Sequence, residues 1–133
     1  MKPIFADTSY YIALLSEVDE RHDSAVEWSE RVLGRQVVTE YVLVEFGSAL
    51  SKVRDRPLYV PFVEHLLADK DTEFIAASDE LFRRGRALFG KRLDKSWSLV
   101  DCISFVVMRQ RRVSEALTTD HHFEQAGFTA LLK

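Results

Sequence analysis

The feature that most constrains this chain is its alternation of short apolar runs with helical stretches, from one end to the other. PIFAD (Pro3 to Asp7) reads as a strand, and SYYIALLSE after it as a helix. Glu20 to Val32 sets Ala25, Trp28 and Val32 at helical spacing. Arg35 to Thr39 is a short strand. Thr39 to Arg54 reads as a helix with Val42, Phe46, Ala49, Leu50 and Val53 on one face. Pro57 marks a break, and PFVEHLLADK is a further helix with Pro61 in its first turn. TEFIAAS is a strand. DELFRRGRALFGK is an amphipathic helix with Leu81, Phe82, Leu88 and Phe89 inward. SLVDCISFVVMRQRR is a helix, EALTTD a strand, HHFEQAG a short helix and FTALLK a last strand. Strands that alternate with helices predict an α/β domain with a mainly parallel sheet.

The length of 133 residues is that of about one domain, so the whole span 1–133 is read as a single unit. Hydrophobic residues make up 47% and charged residues 29%, the balance of a globular chain rather than a disordered one. One cysteine, Cys102, excludes an intramolecular disulfide, and its place in an apolar run makes it a small hydrophobe. A reducing, cytoplasmic setting fits. No apolar stretch approaches the ~18–20 residues of a membrane span. The start, MKPIFADTSYYIALL, is interrupted by Asp7 and lacks a small-residue cleavage site, so it does not read as a signal peptide. The net charge of -3 gives the chain as a whole no attraction for a polyanion.

Four carboxylates stand out. PIFAD-TSYYIALL and EALTTD-HHFEQ share one format: apolar strand, Asp, helix. In a parallel sheet that puts Asp7 and Asp120 at carboxyl ends of strands, where such folds place their sites. Glu45 lies beside the apolar stripe of its helix. Asp101 interrupts the apolar run WSLVDCISFVVM, where an unpaired buried charge costs several kcal/mol. Each acid also has an ordinary structural use. Asp7 and Asp120 can cap helices. Ser98-Leu-Val-Asp101 has the spacing of a capping box, with Asp101 in a first turn where the helix dipole favours its charge. Glu45 has no cap to make. Glu40 and Glu73 read as exposed acids. Four carboxylates converging at one sheet edge would repel and raise each other's pKa unless a cation neutralised them. Mg²⁺ and Mn²⁺ take oxygen ligands, activate water and stabilise phosphoryl oxygens. The chemistry indicated is metal-assisted hydrolysis of a phosphodiester.

FADTSYYIALL, TEYVLVEFGSAL, WSLVDCISFVVM and ALTTDHHFEQAGF, in that order and spacing, resemble the PIN-domain family, and within it the VapC-type toxins of toxin–antitoxin pairs. The resemblance runs the whole chain. It implies a three-layer α/β/α domain and Mg²⁺- or Mn²⁺-dependent cleavage of RNA, with the chain as toxin of a type II pair. It implies that Asp7, Glu45, Asp101 and Asp120 are the metal-site carboxylates, with Asp7 and Asp101 the closest ligands. It also implies a small antitoxin that blocks the site with an Arg or Lys, and a homodimer, for which the helices from Leu43 to Leu67 are candidate surface, although the sequence alone reads those residues as core. Thr8, Ser9, Ser98 and Thr119 stand beside the acids as polar supports, or simply as caps and local hydrogen bonds.

Basic residues at Arg83, Arg84, Arg86, Lys91, Arg92 and Lys95 precede the Asp101 helix and are candidate phosphate contacts, Arg84, Arg86, Lys91, Arg92 and Lys95 above all. Arg109, Arg111 and Arg112 suit the end of a helix instead. Trp97, Tyr10 and Tyr11 either stack on bases or fill the core. His121 and His122 read as surface or substrate-side residues, because adjacent histidines on a helix do not easily share a metal. His22 and His65 carry no signal. A PIN nuclease of RNA processing and a PIN-like RNA-binding module without cleavage stay open. A flavodoxin-like signalling fold would need a lysine on a late strand, and EALTTD and FTALL have none.

Overall fold

β1 (Ile4–Ala6) lies at the centre of a five-stranded sheet of order β3-β2-β1-β4-β5, with every pairing parallel. The computed structural model describes residues 2–32 and 35–133. β1 leads into α1 (Thr8–Leu15) and α2 (His22–Arg31), and β2 (Gln36–Thr39) into α3 (Glu40–Ala49) and α4 (Arg56–Ala68). β3 (Thr72–Ile75) leads into α5 (Asp79–Lys91) and α6 (Leu99–Arg111). β4 (Glu115–Leu117), α7 (His121–Gln125) and β5 (Thr129–Ala130) complete the chain. The sheet is flanked by helices, as the α/β reading expects.

A parallel strand covered on both faces needs a near-continuous apolar run. Phe5, Val37, Val38, Ala116 and Leu117 supply it, each at most 1% exposed. Phe5 pairs in register with Val37 on one side and Ala116 on the other. Burying a side chain of this size stabilises by about 1.5–3 kcal/mol.

The chain winds from β1 through β2 to β3, then returns to β4 beside β1. With this strand order, the right-handed rule for parallel crossovers assigns α1 to α4 to one face and α5 to α7 to the other. Packing follows this division, α1 on α2 and α3, α3 on α4, and α5 on α6 with α6 on α7, except that α3 also meets α6. The reversal of strand order falls between β1 and β4. Folds of this kind bind ligands in the crevice outside the carboxyl ends of the strands at that reversal.

Several elements differ from the sequence reading, each for a local reason. α3 stops at Ala49 rather than Arg54, and Val53 is 86% exposed. α4 starts at Arg56, with Pro57 at its first turn and Pro61 inside it. Pro61 lacks only the hydrogen bond to the carbonyl of Pro57. Phe82 and Phe89 are exposed, because α5 meets α6 through Leu81 and Gly85 instead. A Cβ on Gly85 would lie 2.3 Å from Cγ1 of the buried Ile103. Glu73 pairs with Arg111 at 3.0 Å, and Glu40 accepts the Ala77 N–H at 2.7 Å, so neither is an idle surface acid. Trp97, Tyr10 and Tyr11 are core. Cys102 is buried, as a small hydrophobe should be.

Candidate active site

Asp7 follows β1 directly, and its N–H donates to the Leu117 carbonyl of β4 at 3.1 Å. This bond ties the two strand ends across the topological reversal. Asp7 occupies the N-cap position of α1, yet its carboxylate makes no capping bond. Its Oδ2 instead accepts from the Thr118 hydroxyl at 2.8 Å and the Ser9 hydroxyl at 3.1 Å. Asp7 is 5% exposed. Burial, opposed by the Thr118 hydroxyl and reinforced by the negative charge of Asp101, pushes its pKa up to about 7.

Asp101 arrives on the first turn of α6. The Ser98 hydroxyl accepts the Asp101 N–H at 2.9 Å, and Asp101 Oδ2 accepts the Ser98 N–H at 3.0 Å, a complete capping box. An acid can therefore sit inside an apolar run: the run begins a helix, and the acid satisfies its end. Burial raises the Asp101 pKa, and the Ser98 N–H opposes that. Asp120 raises it further, and His122 lowers it.

Asp120 caps α7, its Oδ1 accepting the His122 N–H at 2.9 Å. Its own N–H donates to the Thr118 hydroxyl at 3.0 Å. Glu45 comes from the middle of α3 and accepts from the Thr8 hydroxyl of α1. Thr39 starts that helix by accepting the Val42 N–H at 3.1 Å, which helps set which face of α3 Glu45 occupies.

All four acids line one open cleft of about 340 Å³, with Thr8, Ser9, Ile12, Ser96, Ser98 and His122. They come from β1, α3, α6 and the turn after β4, so the tertiary fold gathers them. The donor set is almost all oxygen, and Asp7 carries an uncompensated proton preference. Both features fit a divalent cation held by carboxylates.

Thr119 does not line the cleft; its N–H donates to the Ser9 hydroxyl at 3.0 Å. The buried hydroxyl between Asp7 and Asp120 belongs to Thr118, which the sequence reading passed over. The strand period puts Thr118 on the face of Ala116, but Leu117 on the other face is equally buried, so the period alone does not single Thr118 out from Thr119. His122 enters the cleft, its Nδ1 3.1 Å from Asp101 Oδ2 and 3.3 Å from Asp120 Oδ1. His121 stays largely exposed.

The basic candidates divide. Lys95 adjoins Ser96 at the cleft and lies 4.0 Å from Asp94, whose carboxylate takes two hydrogen bonds from Arg92 at 3.0 Å. Arg84 and Lys91 line a separate groove with Arg109. Arg109 lies about 12 Å of helix rise beyond Asp101. Arg86 stacks on Phe82 at 4.9 Å.

Residues 4–129 match the PIN domain family model, and the chain belongs to that family. It is 30% identical to the 23S rRNA-specific endonuclease VapC20 of Mycobacterium tuberculosis, over 94% of this chain and 95% of that protein. The crystal structure of Mycobacterium tuberculosis VapC20, described as a Sarcin-Ricin loop cleaving toxin, superposes with a TM-score of 0.86 at 25% identity. That match covers 94% of this chain and 95% of the other. FitAcB of Neisseria gonorrhoeae shares the fold, with a TM-score of 0.63 at 14% identity over 96% of this chain and 94% of its own.

Proposed function

We propose that this chain is a metal-dependent endoribonuclease, the toxin of a type II toxin–antitoxin pair. The observation that carries the reading is the cleft itself: Asp7, Glu45, Asp101 and Asp120 gathered at the topological reversal, with Asp7 pushed up to about 7. The likeness to a 23S rRNA-specific endonuclease supports RNA as the substrate, and that relative's loop target supports a structured one.

Asp7 and Asp101 would hold Mg²⁺ or Mn²⁺, with Glu45 and Asp120 completing the site. An ion held there would supply charge neutralisation at the phosphate and acidify water. Glu45, one oxygen tethered by Thr8, offers the other to accept a proton from the attacking water. Thr118 and Ser9 hold Asp7 in one orientation, and Ser98 holds Asp101. Thr119 contributes its backbone to the same support. Lys95 contacts RNA phosphate at the cleft rim, with Arg92 beside it. Arg84, Arg86 and Lys91 act on phosphates farther from the scissile bond.

A small antitoxin closes the cleft with a basic side chain. A second copy of the chain packs on the α3–α4 surface, where Val44, Leu58 and Val60 are exposed. An RNA substrate sets the work in the cytoplasm, and among the described residues no helix is long and apolar enough to cross a membrane.

Cleavage of a labelled hairpin RNA by wild type and Asp7→Asn, with Mg²⁺, Mn²⁺ or EDTA, tests this. The expected result is cutting that needs the ion and is lost in the variant. Equal cutting by both, or cutting in EDTA, would refute it; tight RNA binding with no cutting would favour a binding module.

A further inference from the structure

The cleft has two chemically unlike halves. Around Asp7 and Glu45 the partners are all oxygen: hydroxyls of Thr8, Ser9 and Thr118. Around Asp120 a nitrogen donor enters. His122 Nδ1 lies 3.1 Å from Asp101 Oδ2 and 3.3 Å from Asp120 Oδ1, and His121 Nδ1 lies 3.7 Å from the same Asp120 oxygen. Donor atoms of Asp120, His121 and His122 all fall within 4.8 Å of one another. With bonds of about 2.1 Å, neighbouring donors around one ion sit about 3.0 Å apart in an octahedron and about 3.4 Å in a tetrahedron. The separations to His122 match those edges.

The imidazole is also held there. α7 is anchored by Phe123, fully buried and packed edge-on against Phe105 at 4.9 Å. Gln125 accepts from the Trp97 indole at 3.0 Å. Asp120 Oδ1 takes the His122 N–H, which fixes carboxylate and imidazole on one turn. Adjacent histidines can approach one acid here because Asp120 is the cap and both follow it in the first turn.

We infer that Asp120, His121 and His122, with Asp101 beside His122, form a mixed nitrogen–oxygen position that takes a borderline divalent ion, Mn²⁺ or Zn²⁺, in preference to Mg²⁺. The inference rests on the metal-site reading above and adds which ion each half of the cleft selects. Mg²⁺ demands oxygen and sheds its water reluctantly, whereas Mn²⁺ and Zn²⁺ accept imidazole.

The test is calorimetric titration of the EDTA-stripped full chain with Mg²⁺, Mn²⁺ and Zn²⁺ in separate runs, for wild type, His122→Gln, His121→Gln and Asp7→Asn. His122→Gln should weaken Mn²⁺ and Zn²⁺ about tenfold or more and change Mg²⁺ less than about twofold. His121→Gln should weaken Zn²⁺ by less than His122→Gln does. Asp7→Asn should weaken Mg²⁺ most. The Mn²⁺ and Zn²⁺ runs separate the two ions. In wild type, Zn²⁺ should also shift the His122 ring nitrogens in a ¹⁵N spectrum, a readout that needs no variant to fold. Unchanged Mn²⁺ and Zn²⁺ affinity in His122→Gln, equal weakening of all three ions, or a silent His122 ring would overturn this inference. If Mg²⁺ binding still depends on Asp7, the nuclease reading survives that outcome; no ion binding by wild type would sink both.

Discussion

The turns after β1 and after β4 carry the same pattern, apolar strand, Asp, helix, and the two aspartates do different work. Asp120 does what an Asp in that place ordinarily does: it caps its helix through the His122 N–H. Asp7 stands at the same position of α1 and caps nothing. Its carboxylate turns inward, 5% exposed, onto hydroxyls brought from the other turn and from its own helix. The format of a strand end decides where an acid stands; its burial and its partners decide what it does. Thr118 joins the two cases, donating to one acid and accepting the N–H of the other.

The largest expected contrast is in activity. Asp7→Asn should lower RNA cleavage about 10³-fold, the scale of losing a group that serves the transition state directly. Asp120→Asn, a more peripheral ligand, should cost about 10–100-fold. Initial-rate measurements with saturating Mn²⁺ compare them, and equal losses would break the distinction.

pH sharpens it next. Without metal, the folded pKa of Asp7 is about 7 against an ordinary value of 3.8. Between those values the native chain keeps a proton that the unfolded chain has lost, so stability falls as pH rises and the loss is complete above about pH 7. The effect is at most about 4 kcal/mol. Denaturant unfolding in EDTA at pH 5 and pH 8 should show the loss in wild type and much less in Asp7→Asn. Asp120→Asn should keep the wild-type slope.

Thr118→Val should cost about 1–3 kcal/mol, because it strands buried polar groups at both turns. Combined with Asp7→Asn the cost should be less than additive, since one partner is shared. The smallest effect belongs to the cap: Asp120→Ala should lose about 1 kcal/mol by thermal unfolding.

Much of this was legible in the chain. The strand–helix alternation gives the parallel sheet, and the Ser98–Asp101 spacing gives the capping box that explains an acid in an apolar run. The four carboxylates can be picked out one by one, but no local pattern says they share a cleft; that follows from β4 returning beside β1. Thr118 escaped notice because TTD offers two hydroxyls, and only the strand's pairing decides which one turns inward. His122 stands out in the sequence as a surface or substrate-side residue but not as a neighbour of the acids, because adjacent histidines on a regular helix diverge, whereas a five-residue helix capped by Asp120 lets both approach it. Phe82 and Phe89 look like core by hydrophobicity, but the close approach at Gly85 moves the contact face away from them.

The most direct measurement of the central claim, that this cleft is built around a cation, is thermal unfolding at pH 8 with and without Mg²⁺ for wild type and Asp7→Asn. Saturation at about a hundred times Kd should stabilise wild type by about 2.7 kcal/mol, a rise in Tm of several degrees. The ion-free Asp7→Asn protein should already melt above ion-free wild type and gain little from Mg²⁺. An unresponsive wild type, or an equal rise in the variant, would contradict the account.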